Sequence, residues 1–138
     1  MRTLLRVGLT VLAAVQVVLG TWTALFPRSF YDDVPTVDLT PPYSEHLFRD
    51  FGGATLGIAV VLVAAAVWLE RRLVIVSLVA YLAFSVPHLA FHAGHLQELP
   101  AGQAAVLLVL LALSVVLPLA LIPVARSEPS EPRLQRVR

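Results

Sequence analysis

The chain alternates between long apolar stretches and short polar connections, and the long stretches set the expected architecture. Four stand out: about Thr3 to Phe26, Ser44 to Leu69, Leu73 to Ala93 and Ala104 to Val124. Each supplies the roughly 20 residues that a helix needs to cross a hydrocarbon core of about 30 Å. Strands exposed to lipid would leave backbone groups unpaired, so helices are the economical reading. Strands of a membrane barrel also alternate polar and apolar residues, which these stretches do not. The short connections predict an all-α, integral membrane, up-down-up-down four-helix bundle over residues 1–125. Residues 126–138, with Pro129 and Pro132, read as a disordered tail. The first stretch starts like a signal peptide, but it is long and ends in Trp22, Phe26 and Pro27 rather than in a small-x-small cleavage site. It is therefore read as a retained span.

Composition supports this reading. Of 138 residues, 58% are hydrophobic and 14% charged, and the mean hydropathy is +0.82. A soluble domain of this size would have too few charges to cover its surface. A soluble enzyme, a nucleic-acid binder and a disordered protein are thereby excluded. Cysteine is absent, which removes disulfides, thiolate ligands and a cysteine nucleophile.

All ten basic residues are arginine, and their placement orients the chain. Arg2 and Arg6 precede the first span, Arg71 and Arg72 mark the turn between the second and third, and Arg126, Arg133, Arg136 and Arg138 follow the fourth. The opposite side carries Arg28, with Arg49 inside the start of the second span. The positive-inside rule then places both termini in the cytoplasm of a multi-pass cell-membrane protein. The loop over residues 27–43 and the link from Glu98 to Gly102 face outward. That loop is acidic and proline-rich and is long enough to fold over the bundle mouth as a cap.

This orientation gathers the polar residues near the outer end. His46, Asp50, Gly53 and Gly57 fall along one stripe of the second span, and Glu45 and Arg49 form an ion pair on the adjacent stripe. His88 and His92 share a face of the third span, with His95 just beyond Gly94. Gln16, Gly20 and Thr23 form a similar stripe on the first. The glycines are expected to let neighbouring helices approach closely. Pro87 leaves the Ala83 carbonyl without its usual donor and bends the third span just before His88.

Imidazole and carboxylate groups are ligands for zinc, copper or iron. His46, Asp50, His88 and His92 are the expected ligands of such a transition metal, with Glu45, Arg49, His95 and Gln16 around them. An alternative pairs His46 with His92 on a b-type haem, implying electron transfer with quinone. A further alternative is a non-catalytic scaffold or partner subunit whose polar groups serve packing. The glycine-bearing face of the second span would then meet another membrane protein or a second copy. A solute or proton carrier ranks below these, because the cytoplasmic halves offer only Thr10 and Ser77.

The segment P-Y-S-E-H-L-F-R-D-F-G-G over Pro42–Gly53, followed by V-P-H-L-A-F-H-A-G-H over Val86–His95, resembles a group of uncharacterised actinobacterial four-helix membrane proteins. Their pattern is roughly P-Y-N-E-H, then R-D-x-G, then P-H-x-x-F-H, and Ser44 stands where the group often has Asn. More distantly, the layout is similar to the DoxX-like four-helix proteins. The resemblance implies four helices and carries over no reaction or ligand.

Overall fold

The computed structural model describes residues 1–38, 42–97 and 99–127. It contains five helices: α1 (Arg2–Leu25), α2 (Pro27–Asp33), α3 (Glu45–Trp68), α4 (Arg71–Ala93) and α5 (Ala101–Ser127). All but α2 are long and apolar enough to cross a membrane. No strand occurs among the described residues.

The long helices correspond to the four expected spans with shifted ends. The turn between α3 and α4 is Leu69–Glu70, with Leu69 in the left-handed region at φ 51°. Arg71 and Arg72 therefore open α4 rather than forming the turn. α5 begins earlier than expected and runs on through Arg126 to Ser127, so the expected disordered tail is helical at its start and otherwise lies outside the described residues. Pro118 and Pro123 sit inside α5, which an apolar environment tolerates when neighbours repair the lost backbone bonds.

The long helices form a ring. α1 packs most extensively against α3, α3 against α4, α4 against α5, and α5 closes back on α1 near Gly8 and Leu121. Along α1 and α3 the contacts run in reverse order: Arg6 meets Ala66, whereas Gly20 meets Gly52 and Leu56. The α3–α4 contacts are also reversed, with Val61 against Ser77 and Phe51 against Phe84. Leu5, Leu9 and Leu12 of α1, Leu62 and Ala66 of α3, Val74 and Leu78 of α4 and Leu121 of α5 fill the centre toward the arginine-rich end. Large apolar side chains such as Val18, Val60, Trp68, Val76 and Leu110 cover the outside.

The α1–α3 seam is the tightest. A Cβ on Gly52 would stand 2.5 Å from the Ala24 nitrogen and 2.7 Å from Thr23 Oγ1, and one on Gly20 would meet the Leu56 nitrogen at 3.0 Å. Only glycine allows the two backbones to lie this close. Arginines brace both ends of the seam. Arg6 Nε donates to the Ala66 carbonyl at 3.2 Å and Arg49 Nη1 to the Ala24 carbonyl at 2.6 Å, each satisfying an orphan carbonyl in the last turn of the neighbouring helix.

The segment after α1 was expected as a loop but contains α2, started by Pro27 at the first helical position. Trp22 Nε1 donates to Ser29 Oγ at 3.1 Å, and Ser29 donates on to Asp33 at 2.7 Å. Phe30 packs between Trp22 and Phe48, while Tyr31 and Tyr43 complete an aromatic cluster on Phe48. The cap therefore covers α1 and α3; among the described residues α2 packs on neither α4 nor α5.

The seam makes a directional prediction. Gly52→Ala should cost about 1–3 kcal/mol in detergent unfolding, because its methyl group meets backbone that cannot give way. Gly53→Ala, where no heavy atom of the described residues lies within 4 Å, should change stability by no more than about 1 kcal/mol.

Candidate functional site

The residues expected to form one cluster divide into separate sets. Ser44 caps α3 through a 3.4 Å bond from the Leu47 nitrogen, and α3 then carries Glu45, His46, Arg49 and Asp50 in its first turns. Arg49 binds Glu45 Oε1 at 2.9 Å, which bears out that ion pair, and the same guanidinium reaches α1 as described. His46 Nε2 lies 3.2 Å from Asp50 Oδ2, with side chains 89% and 65% exposed. This second pair faces away from the bundle.

The reason is helical register. The buried ridge of α3 is Gly52, Thr55, Ala59 and Leu62, and Glu45 and Arg49 continue it outward. His46, Asp50, Gly53 and Gly57 form the neighbouring ridge, about 100° away. Gly53 and Gly57 are exposed, with no heavy atom of the described residues near their Cβ positions. The expectation that they support packing inside the bundle is corrected: Gly20 and Gly52 do that work.

On α4, His88 and His92 are half-buried and one turn apart, with ring centroids 4.7 Å from each other edge to face. His88 also stacks on Phe84, which packs against Phe51 of α3. α4 ends at Ala93 with Gly94 as its cap, and His95 lies in the link as expected. The His95 ring is exposed, stacks on Phe91 and is bonded through Nδ1 to the Phe91 carbonyl at 2.7 Å. It closes the helix end rather than joining His88. Glu98 lies outside the described residues.

The four expected metal ligands are therefore not assembled. Among the described residues, no three His, Asp or Glu side chains gather closely enough to hold one ion. The structure offers two-residue sets, His46–Asp50 and His88–His92, each short of the three or four protein ligands of a zinc centre. His46 likewise lies outside the interior in which a haem shared with His92 would sit.

Gln16 is buried, but not beside the histidines. Tyr81, read in the sequence as part of an apolar span, faces it across the bundle together with Ser114 of α5. Thr55 and Ser85 are buried as well. The sequence signal for this tier was available: Ser77, Tyr81 and Ser85 recur every fourth residue along α4.

Comparison with protein-family models, with curated proteins and with solved structures finds no match. The geometry alone carries the functional argument.

Arg49 is the outer-end polar residue most tied to the fold. Arg49→Met should lower stability by about 1 kcal/mol, since it frees an exposed ion pair and one helix-end carbonyl. His46→Ala should leave the unfolding midpoint unchanged, measured under the same conditions.

Proposed function

We propose that the protein is a multi-pass membrane protein with an up-down-up-down bundle and both termini in the cytoplasm, and that it acts as a non-catalytic subunit associating through the open ridge of α3. Four apolar helices and reversed contact order along α1–α3 and α3–α4 support the arrangement. The arginines at the start of α1, the start of α4 and the end of α5 support the orientation.

The observation that carries the association is the unused pair Gly53 and Gly57. They are spaced as G-x-x-x-G, the spacing with which two membrane helices approach closely, yet nothing in the described chain covers them. His46 and Asp50 continue the same ridge outward. A second copy is the occupant, because this ridge is self-complementary. In a parallel two-fold pair each residue lies level with its own copy, and the His46 of one chain stands one turn along the axis from the Asp50 of the other. The two copies would share one membrane orientation, as parallel G-x-x-x-G pairing needs.

Energy transfer between differently labelled copies in lipid vesicles tests this. Wild type should show transfer that persists on lipid dilution, and Gly53→Leu with Gly57→Leu should abolish it while the unfolding midpoint holds. Wild-type copies that never exchange transfer at any protein-to-lipid ratio would overturn the reading.

The edge-to-face pair His88–His92 favours a second reading, capture of a transition-metal ion by these two imidazoles with water completing its shell. Purified wild type should then carry zinc, copper or iron that is lost in His88→Ala with His92→Ala. A metal-free wild type that takes up none of these ions rejects it.

A further inference from the structure

The interior holds polar groups that the association reading leaves unused. Gln16 is 2% exposed and its Oε1 has no hydrogen-bond partner among the described residues. Ser85 is 1% exposed and its Oγ is equally unpartnered. A buried amide or hydroxyl without a partner costs roughly 1–3 kcal/mol, and a membrane interior offers no bulk water to relieve it.

Ser85 is the exception among the serines inside these helices. Ser77 Oγ donates to the Leu73 carbonyl at 2.6 Å and Ser114 Oγ to the Leu111 carbonyl at 2.7 Å, the usual way for a helical serine to satisfy itself. Thr23 does the same with Leu19 at 2.7 Å. Ser85 makes no such bond, so its hydroxyl remains free for another partner.

The two orphans lie in the buried interior of the bundle, on α1 and α4. Tyr81 stands one turn from Ser85 on the same buried side of α4, and its hydroxyl faces Gln16 and Ser114. Despite this proximity, Gln16 Oε1 receives no direct bond. Exchanging the two ends of the amide would only leave an N–H unpartnered in its place. An acceptor left over while its neighbours bond elsewhere is the setting for an ordered water. The missing partner must donate to an amide oxygen and also satisfy a hydroxyl. Water has two donors and two acceptors, and buried waters typically make about three hydrogen bonds to such groups.

We infer that the bundle holds an internal water site between Gln16, Tyr81 and Ser85, in which ordered water bridges the Gln16 amide and the Ser85 hydroxyl. The site is one-sided. His88 lies three residues beyond Ser85 and His92 one turn further, a half-buried polar line leading to the outer end. In the opposite direction Leu9, Leu62, Val74 and Leu78 are buried against one another, and Ser77 is already bonded. The site is therefore a wet pocket above an apolar plug, not part of a continuous path.

X-ray radiolytic footprinting tests the inference, because hydroxyl radicals formed from a bound water oxidise the side chains touching it. Tyr81, although only 2% exposed, should be oxidised readily in the wild type. Its oxidation should be lost in Gln16→Met with Ser85→Ala, or reduced in Ser85→Ala alone should the double variant fold poorly. A wild-type Tyr81 that resists oxidation overturns the proposal. Stability supplies an independent sign. With water bound, Gln16→Met breaks a satisfied network and lowers the unfolding midpoint. In a dry interior the same change removes an unpaired group and raises it, which would also overturn the proposal.

Discussion

The backbone contact between α1 and α3 is the constraint on which the rest depends. In a bilayer, lipid tails are as apolar as leucine side chains, so burying Leu9 against Leu62 would gain little that lipid contact would not. Close van der Waals packing and backbone satisfaction must hold the helices together instead. Gly20 and Gly52 permit that packing over the outer half of the seam. Arg6 and Arg49 fix its two ends by donating to carbonyls that the helices themselves cannot pair.

This seam places everything at the outer end. It sets Trp22 of α1 and Phe48 of α3 on either side of Phe30, and those rings hold α2 through Phe30 and Tyr31. Arg28 lies over Tyr31 and Tyr43, and its bond to Asp32 raises its already high pKa, keeping a fixed cation on the cap. The seam also decides which side of α3 remains open. With Gly52 and Thr55 committed to α1 and the core, His46, Asp50, Gly53 and Gly57 must face outward.

The spans were legible because length and apolarity define a membrane helix almost independently of context. The inward faces were not, and α3 shows why. Apolar residues occupy all sides of it from Ala54 to Trp68, so no contrast marks the core-facing ridge. Two adjacent ridges each carry glycine and ionisable groups, and only packing distinguishes them. The Arg49–Glu45 pair was readable from its four-residue spacing, whereas the bond from Arg49 to the Ala24 carbonyl depends on a partner 25 positions away. α2 was missed because its seven residues are too short to announce themselves by periodicity, although Pro27 followed by a polar run is a helix start. The histidines of α4 lie at the end of the bundle opposite Arg6 and Arg71, but proximity of sequence motifs across two helices does not fix the direction their side chains take.

The polar groups thus occupy two tiers with different physical demands. At the end of the bundle opposite Arg6, His46 pairs with Asp50 and Glu45 with Arg49 while exposed, and such pairs hold little free energy. Exchanging one partner for another costs little there. Deeper in, Gln16, Thr55, Tyr81 and Ser85 are enclosed by apolar neighbours, where any unmet hydrogen bond is expensive. Each of these groups must therefore find a partner inside the bundle, so Gln16, Tyr81 and Ser85 constrain the interior by their hydrogen bonding as well as by their volume.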